Sequence, residues 1–201
     1  MGAYLYDEAF LKKLQNWTRN TEVTLFGTDD STRFLEVLAD KSDDKPIKLP
    51  VICLRRPGGY SIDTYGKKPL SFDGITMGAN EQRSQQLNAI PISLNYQIDI
   101  MARYYREADE YARNLIFNVT NYPRLEVTLP YEGANYKHVG QLKISQEIVD
   151  NSAVAERLAK GQFSILSLAV SIDDAYLFDI RTRQNCDIAF QIYEHDSVGN
   201  D

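Results

Sequence analysis

The stretch from Ile90 to Tyr131, IPISLNYQIDIMARYYREADEYARNLIFNVTNYPRLEVTLPY, decides how the rest of the chain is read. From Ile90 the even positions Ile90, Ile92, Leu94, Tyr96, Ile98, Ile100 and Ala102 are apolar or aromatic, while Ser93, Asn95, Gln97 and Asp99 stand between them. A period of two is that of a half-buried strand. The period then lengthens. Ala108, Tyr111, Ala112, Leu115, Ile116 and Val119 recur at steps of three and four, with Glu107, Asp109, Glu110 and Arg113 between them. That spacing predicts an amphipathic helix over 104–121. Pro123 disfavours a helical Tyr122, and Leu125, Val127 and Leu129 restore the alternation until Pro130. The unit reads strand, helix, strand.

Toward the N-terminus, Leu5, Ala9, Phe10, Leu14 and Trp17 share a helical face, with Asp7 and Glu8 early and Lys12 and Lys13 later, charges that complement a helix dipole. A short strand over Thr21 to Phe26 ends at Gly27, and the turn Thr28 to Ser31 is expected to cap a second helix over Phe34, Leu35, Val37 and Leu38. Ile47 to Arg55 reads as a strand in which Pro50 suits an edge or a bulge. Residues 56–89 mix glycine, proline, polar residues and isolated aromatics. A connection this long without a period is uncommon inside a domain, so it is expected to be a long arm carrying a function. The alternations Tyr60, Ile62, Thr64 and Leu70, Phe72 allow a small hairpin within it.

Toward the C-terminus, 139–149 reads as a strand with Leu142, Ile144 and Ile148 on one face, and DNSAVAERLAKG as a short connection. Leu166, Leu168, Val170 and Ile172 form a second long strand, followed by two shorter ones that end on Ile188, Phe190 and Ile192. Residues 194–201 are expected to be a frayed tail. These elements predict one α+β domain over 1–201. Its mixed, mainly antiparallel sheet carries a long helix on one face, with an N-terminal helix nearby and the extended arm.

Composition narrows the function. The 201 residues are 43% hydrophobic and 25% charged, close to globular norms. No apolar run approaches the roughly 20 residues that cross a bilayer, and MGAYLYDEAF has acids where a signal peptide has bases. The reading is a cytosolic product with no membrane partner. A net charge of -6 argues against a surface that grips nucleic acid throughout. Cys53 and Cys186 sit in apolar segments far from one another in sequence, and read as two buried thiols. The thirteen tyrosines are the unusual feature, because tyrosine suits half-wet contacts between subunits as well as one-faced sheets.

No recognisable catalytic set is present: no GxSxG, P-loop, GxGxxG or HExxH. His138 reads as a solvated histidine in a polar turn and His195 as part of the tail. Asp43 with Asp44, and Asp173 with Asp174, lack the ligand alternation of a calcium loop, so turn and solvation chemistry explains them. The chain is therefore read as a non-enzyme, with no catalytic, cofactor or metal-binding residue assigned. The run Arg103, Tyr104, Tyr105, Arg106 could stack bases, but at a strand-to-helix corner it suits a sheet end or a subunit contact. Arg55, Arg56, Lys67 and Lys68 make the arm the most basic region, fitted to an acidic partner or a neighbouring subunit. The candidate contact set is Arg55, Arg56, Tyr60, Tyr65, Lys67, Lys68, Tyr104, Tyr105, Arg106, Tyr176 and Phe178.

The run LNYQIDIMARYYREADEYARNLIFNVTNYPRLEVTLPY resembles the strand-helix-strand core of the tail terminator and neck proteins of tailed bacteriophages. Residues 149–178, VDNSAVAERLAKGQFSILSLAVSIDDAYLF, are similar to that group's downstream segment. The likeness spans 90–178 and extends weakly to 49–58. Gln162 and Phe163 stand where the group has a more basic and aromatic start to the last strand, and 56–89 has no counterpart. The resemblance implies a structural virion protein that forms a homo-oligomeric ring, usually a hexamer. Such a ring ends the tail tube and joins the tail to the head connector, touching tube, connector and in some particles sheath protein. It is assembled in the host cytoplasm, and an acidic lumen would let DNA pass without specific binding. A different neck layer, adaptor or stopper, is the nearest alternative; a small enzyme or nucleic-acid-binding domain is the more distant one.

Overall fold

The computed structural model describes residues 2–19, 21, 23–28, 49–63, 70–77, 82–129, 136–153 and 163–183; for 70–77, 82–87, 129, 136 and 180–183 it describes the backbone alone. The helix expected over 34–38, the strand over 188–192 and the tail lie outside these residues. In chain order the elements are α1 (Tyr4–Trp17), β1 (Thr24–Phe26), β2 (Val51–Arg55), β3 (Tyr60–Ile62), β4 (Leu70–Met77), β5 (Gln82–Ala102), α2 (Tyr105–Asn121), β6 (Arg124–Leu129), β7 (Tyr136–Asp150) and β8 (Ser164–Arg183). They form a curled sheet, β1-β2-β5-β8-β7-β6, antiparallel except for β1 with β2.

β5 is the spine. Along one edge it pairs in succession with β2, β3 and β4, and along the other it pairs with β8 from Ser84 to Ala102. The period-two reading holds from Ile92 onward, since Ile92, Leu94, Tyr96, Ile98, Ile100 and Ala102 are all buried in the main core, while Ile90 stays 46% exposed. α2 lays Ala108, Ala112, Leu115 and Val119 against β5, β7 and β8. α1 contributes Leu5, Tyr6, Phe10 and Leu14 to the same core. Full burial of a Leu or Val side chain stabilises by roughly 1.5–3 kcal/mol, so these two stripes hold the helices down. A second, smaller cluster joins Val51, Cys53, Met101 and Ile165, so the Cys53 thiol is buried as expected.

Strand ends shift by a few residues, with β1 starting at Thr24, β2 at Val51 and β7 at Tyr136, and two boundaries differ by more. β5 begins at Gln82, so much of 56–89 belongs to the sheet as β3, β4 and the first part of β5. Gln82 to Asn88 reads QRSQQLN, polar on both faces apart from Leu87. Such a segment has no hydrophobic period, and its strand state follows from backbone pairing with β4 on one side and β8 on the other. β8 runs unbroken through Asp173 and Asp174 to Arg183. Its pairing with β5 slips between Ile92 and Leu94, which face Ala175 and Ile172. The extra residue on β8 moves the buried series from even positions to Ala175, and in sequence that shift of face imitates a strand end.

Pro91 lies inside β5, where a proline normally leaves a ladder bond unmade. Its carbonyl accepts from the Asp63 N–H at 3.1 Å, so residue 91 directs its backbone groups away from β8. The missing N–H then falls where β5 passes from β3 to β4, and residue 91 keeps its place opposite Tyr176 of β8. Pro50 stands just before β2, after a cis Leu49–Pro50 bond, and β2 is flanked by β1 and β5 and so is not an edge strand.

Candidate functional site

The corner between β5 and α2 presents the tyrosine pair. Tyr104 is the N-cap residue in an extended conformation, and its carbonyl accepts from the N–H groups of Glu107 and Ala108 at 3.1 and 3.2 Å. The side chain takes no part in the cap, so the ring is left outside: Tyr104 is 67% exposed and Tyr105 55%. Arg103 and Arg106 flank them in the open. Phe117 on α2 and Tyr122 after it are also exposed, as are Tyr60 and Ile62 on β3. Tyr65, Lys67 and Lys68 lie outside the described residues.

The remaining expected contact residues face inward. Arg56 donates to the Asp7 carboxylate at 3.0–3.3 Å, and the Tyr96 hydroxyl donates to the same group at 2.7 Å. Asp7 is only 7% exposed, so this triangle ties α1 to the sheet. Burial pushes the Tyr96 hydroxyl far above its ordinary pKa, and the neighbouring Asp7 charge and hydrogen bond add to the shift. On a separate site, Asp99, 3% exposed, accepts from Arg55 Nε at 2.6 Å, Gln97 at 2.8 Å and Ser167 at 2.6 Å. Asn151 donates to the Ser167 hydroxyl at 2.7 Å, extending the network to the end of β7.

Tyr176 and Phe178 join an aromatic cluster that sequence did not reveal. His138 lies in β7, not in a turn, and is half-buried. Its ring centroid is 5.2 Å from Tyr176 and 6.0 Å from both Tyr6 and Phe178, all edge to face, and Nε2 is 2.9 Å from the Asp174 carbonyl. The Tyr176 N–H donates to the Tyr6 hydroxyl oxygen at 2.8 Å. Burial raises the Tyr6 pKa well beyond the usual range, despite that bond. Asp173 pairs with Lys143 at 2.7 Å and Asp174 accepts from the Gln141 N–H at 2.9 Å, so both acids have roles in the sheet. No group of three His, Cys, Asp or Glu able to hold a metal occurs among the described residues.

A groove of about 870 Å³ runs between α1 and β6, lined by Ala9, Lys12, Lys13 and Asn16 on one wall. Arg124, Leu125, Glu126, Thr128 and Lys137 line the other, with Asn121, Tyr122 and Pro123 completing the lining. Sequence reading assigned Lys12 and Lys13 only a helix-dipole role and did not single out Arg124 or Lys137. These four cations come from three separate stretches of the sequence and converge only because α1 packs beside β6. No protein-family model matches the chain, and no curated protein sequence matches it.

Proposed function

We propose that the chain is a ring-forming structural protein of a tailed phage particle, one that completes the tail tube and offers the surface to which the head connector attaches. What carries this reading is the segment 94–131, whose likeness to tail terminator and neck proteins coincides with a strand and helix that leave Tyr104, Tyr105 and Arg106 exposed at their corner. Exposed tyrosines flanked by arginine are the side chains that subunit contacts favour. In this reading the corner meets the next subunit, the long α2 helix braces the sheet, and the 56–89 segment serves as the arm that reaches a neighbour. The lumen, lined by an acidic chain, passes DNA without holding it.

Electron microscopy of the purified protein, alone and mixed with tail tubes, tests the proposal. Closed rings, hexameric for a tail terminator, that cap the tubes are expected. Rings that bind portal-bearing heads and ignore tubes would assign the chain to another neck layer. A strictly monomeric protein that caps nothing removes the reading.

A further inference from the structure

β6 ends the sheet, and its outer side has backbone groups to spare. The Pro123 carbonyl accepts from the Leu142 N–H at 2.7 Å, which makes residues 123 and 142 a hydrogen-bonded pair. In an antiparallel ladder such pairs alternate with pairs whose N–H and C=O groups point away from each other. With Arg124 opposite Gln141, Glu126 opposite Val139 and Thr128 opposite Lys137, the outward set is Arg124, Glu126 and Thr128. The bond from Lys13 Nζ to the Arg124 carbonyl, 2.7 Å, agrees, since it approaches from the α1 side. Among the described residues no strand covers this edge.

The charge around that edge opposes the charge of the chain. Among the described residues that line the groove, Lys12, Lys13, Arg124 and Lys137 stand against a single carboxylate, Glu126, in a protein whose net charge is -6. Lys137 lies 3.8 Å from Glu126, both well exposed, a separation at which the pair contributes little. Lys13 is held between the Arg124 carbonyl and the Trp17 ring, 5.0 Å from its centroid. Burial lowers its ammonium pKa, partly offset by Glu126. Among the described residues Lys12 and the Arg124 guanidinium have no ion-pair partner. An open strand edge beside a wall of cations is a template for strand addition, with the main chain supplying affinity and the rim selecting charge.

We infer that the groove between α1 and β6 binds an extended acidic peptide segment, which adds as a strand to the outer edge of β6 while its carboxylates meet Lys12, Arg124 and Lys137. The inference is independent of the ring proposal, because it uses only the edge and its charges.

The test uses the full chain and a fluorescein-labelled peptide alternating Glu and Val, read by fluorescence anisotropy at two salt concentrations. Binding that weakens with salt is expected, together with amide NMR shifts at Glu126 and Thr128. K12E with R124E should weaken it about tenfold, since opposite charges at the rim become like charges. Thr128→Pro removes one outward N–H at an edge position that tolerates proline, and should weaken it about fivefold. Thr128→Val, which keeps the N–H, should bind as the parent does. A second peptide, N-methylated at alternate amides, tests the pairing without altering the protein and should not bind. Equal binding of the methylated peptide would leave only charge attraction and overturn strand addition. No binding by the parent peptide, or tighter binding of an oligonucleotide, would overturn the assignment to an acidic segment.

Discussion

Replacing Asp7 by Ala withdraws the acceptor shared by Arg56 and Tyr96, and each partner is affected differently. The Tyr96 side chain is 1% exposed and its hydroxyl donates to Asp7 at 2.7 Å, so without Asp7 it becomes a buried donor with that bond unmade. That penalty is about 1–3 kcal/mol. Arg56 keeps 20% side-chain exposure, so water partly replaces the carboxylate and the loss there is about 1 kcal/mol. Together Asp7→Ala should destabilise by roughly 2–4 kcal/mol, a large part of the 5–15 kcal/mol typical of a folded protein. Asp7→Asn retains an acceptor for Tyr96 and should cost about 1–2 kcal/mol, because the charge and one of the two oxygens that accept from Arg56 are lost. Urea unfolding followed by Trp17 fluorescence measures both, and the midpoint should fall with the slope unchanged. In a double-mutant cycle with Tyr96→Phe the two losses should sum to more than the double variant shows, as both remove the same bond. If Asp7→Ala lost less than about 1 kcal/mol, or matched Asp7→Asn, the triangle would not be what fastens α1 to the sheet.

Further expectations rest on other parts of the fold. Tyr6 and Tyr96 have folded pKa values raised above the ordinary value of about 10, so their contribution is complete below that pH. Above it the unfolded chain loses both protons while the folded chain keeps them, and stability should fall by about 1.4 kcal/mol per pH unit for each; urea midpoints from pH 8 to 11 check this, with Tyr96→Phe showing a shallower decline. Arg55→Met strands the Asp99 carboxylate, 3% exposed, and should cost about 2–4 kcal/mol, reduced from the full value because Gln97 and Ser167 still donate; thermal unfolding reads it. On the proposed ring assembly, Tyr104→Ala with Tyr105→Ala should change the stability of the fold by less than about 1 kcal/mol yet shift light-scattering mass toward monomer; unchanged assembly would remove the corner from the proposed interface. Gly58→Ala should cost roughly 1–2 kcal/mol in the same melts, because Gly58 has φ 78°, a left-handed conformation that a Cβ opposes.

Much of the architecture was legible because burial writes a period. The even series of β5, the three-and-four series of α2 and the Leu125, Val127 pair of β6 each occupy the core as their spacing requires. The sheet was legible as mainly antiparallel, and Cys53 as a buried thiol. Of the expected contact residues, Tyr104, Tyr105 and Arg106 emerge together in the open, because a strand-to-helix corner exposes whatever follows the last buried residue. Arg55 and Arg56 looked like surface cations, but each finds a nearly buried aspartate from far along the chain. No local pattern announces such a pairing.

The amino-acid order by itself determined what one element decides alone: the periods that make β5 a strand and α2 a helix, and Pro123, which stops α2. Only the tertiary structure decided what two distant segments decide jointly. It made QRSQQLN a strand by placing β4 and β8 on either side, and carried β8 through a change of face. It set His138 among Tyr6, Tyr176 and Phe178, and gathered cations from three separate stretches along the edge of β6. The physical reason is one of range. Periodicity records one residue's burial relative to its near neighbours, whereas ladder bonds, ring contacts and ion pairs depend on which distant backbone arrives alongside.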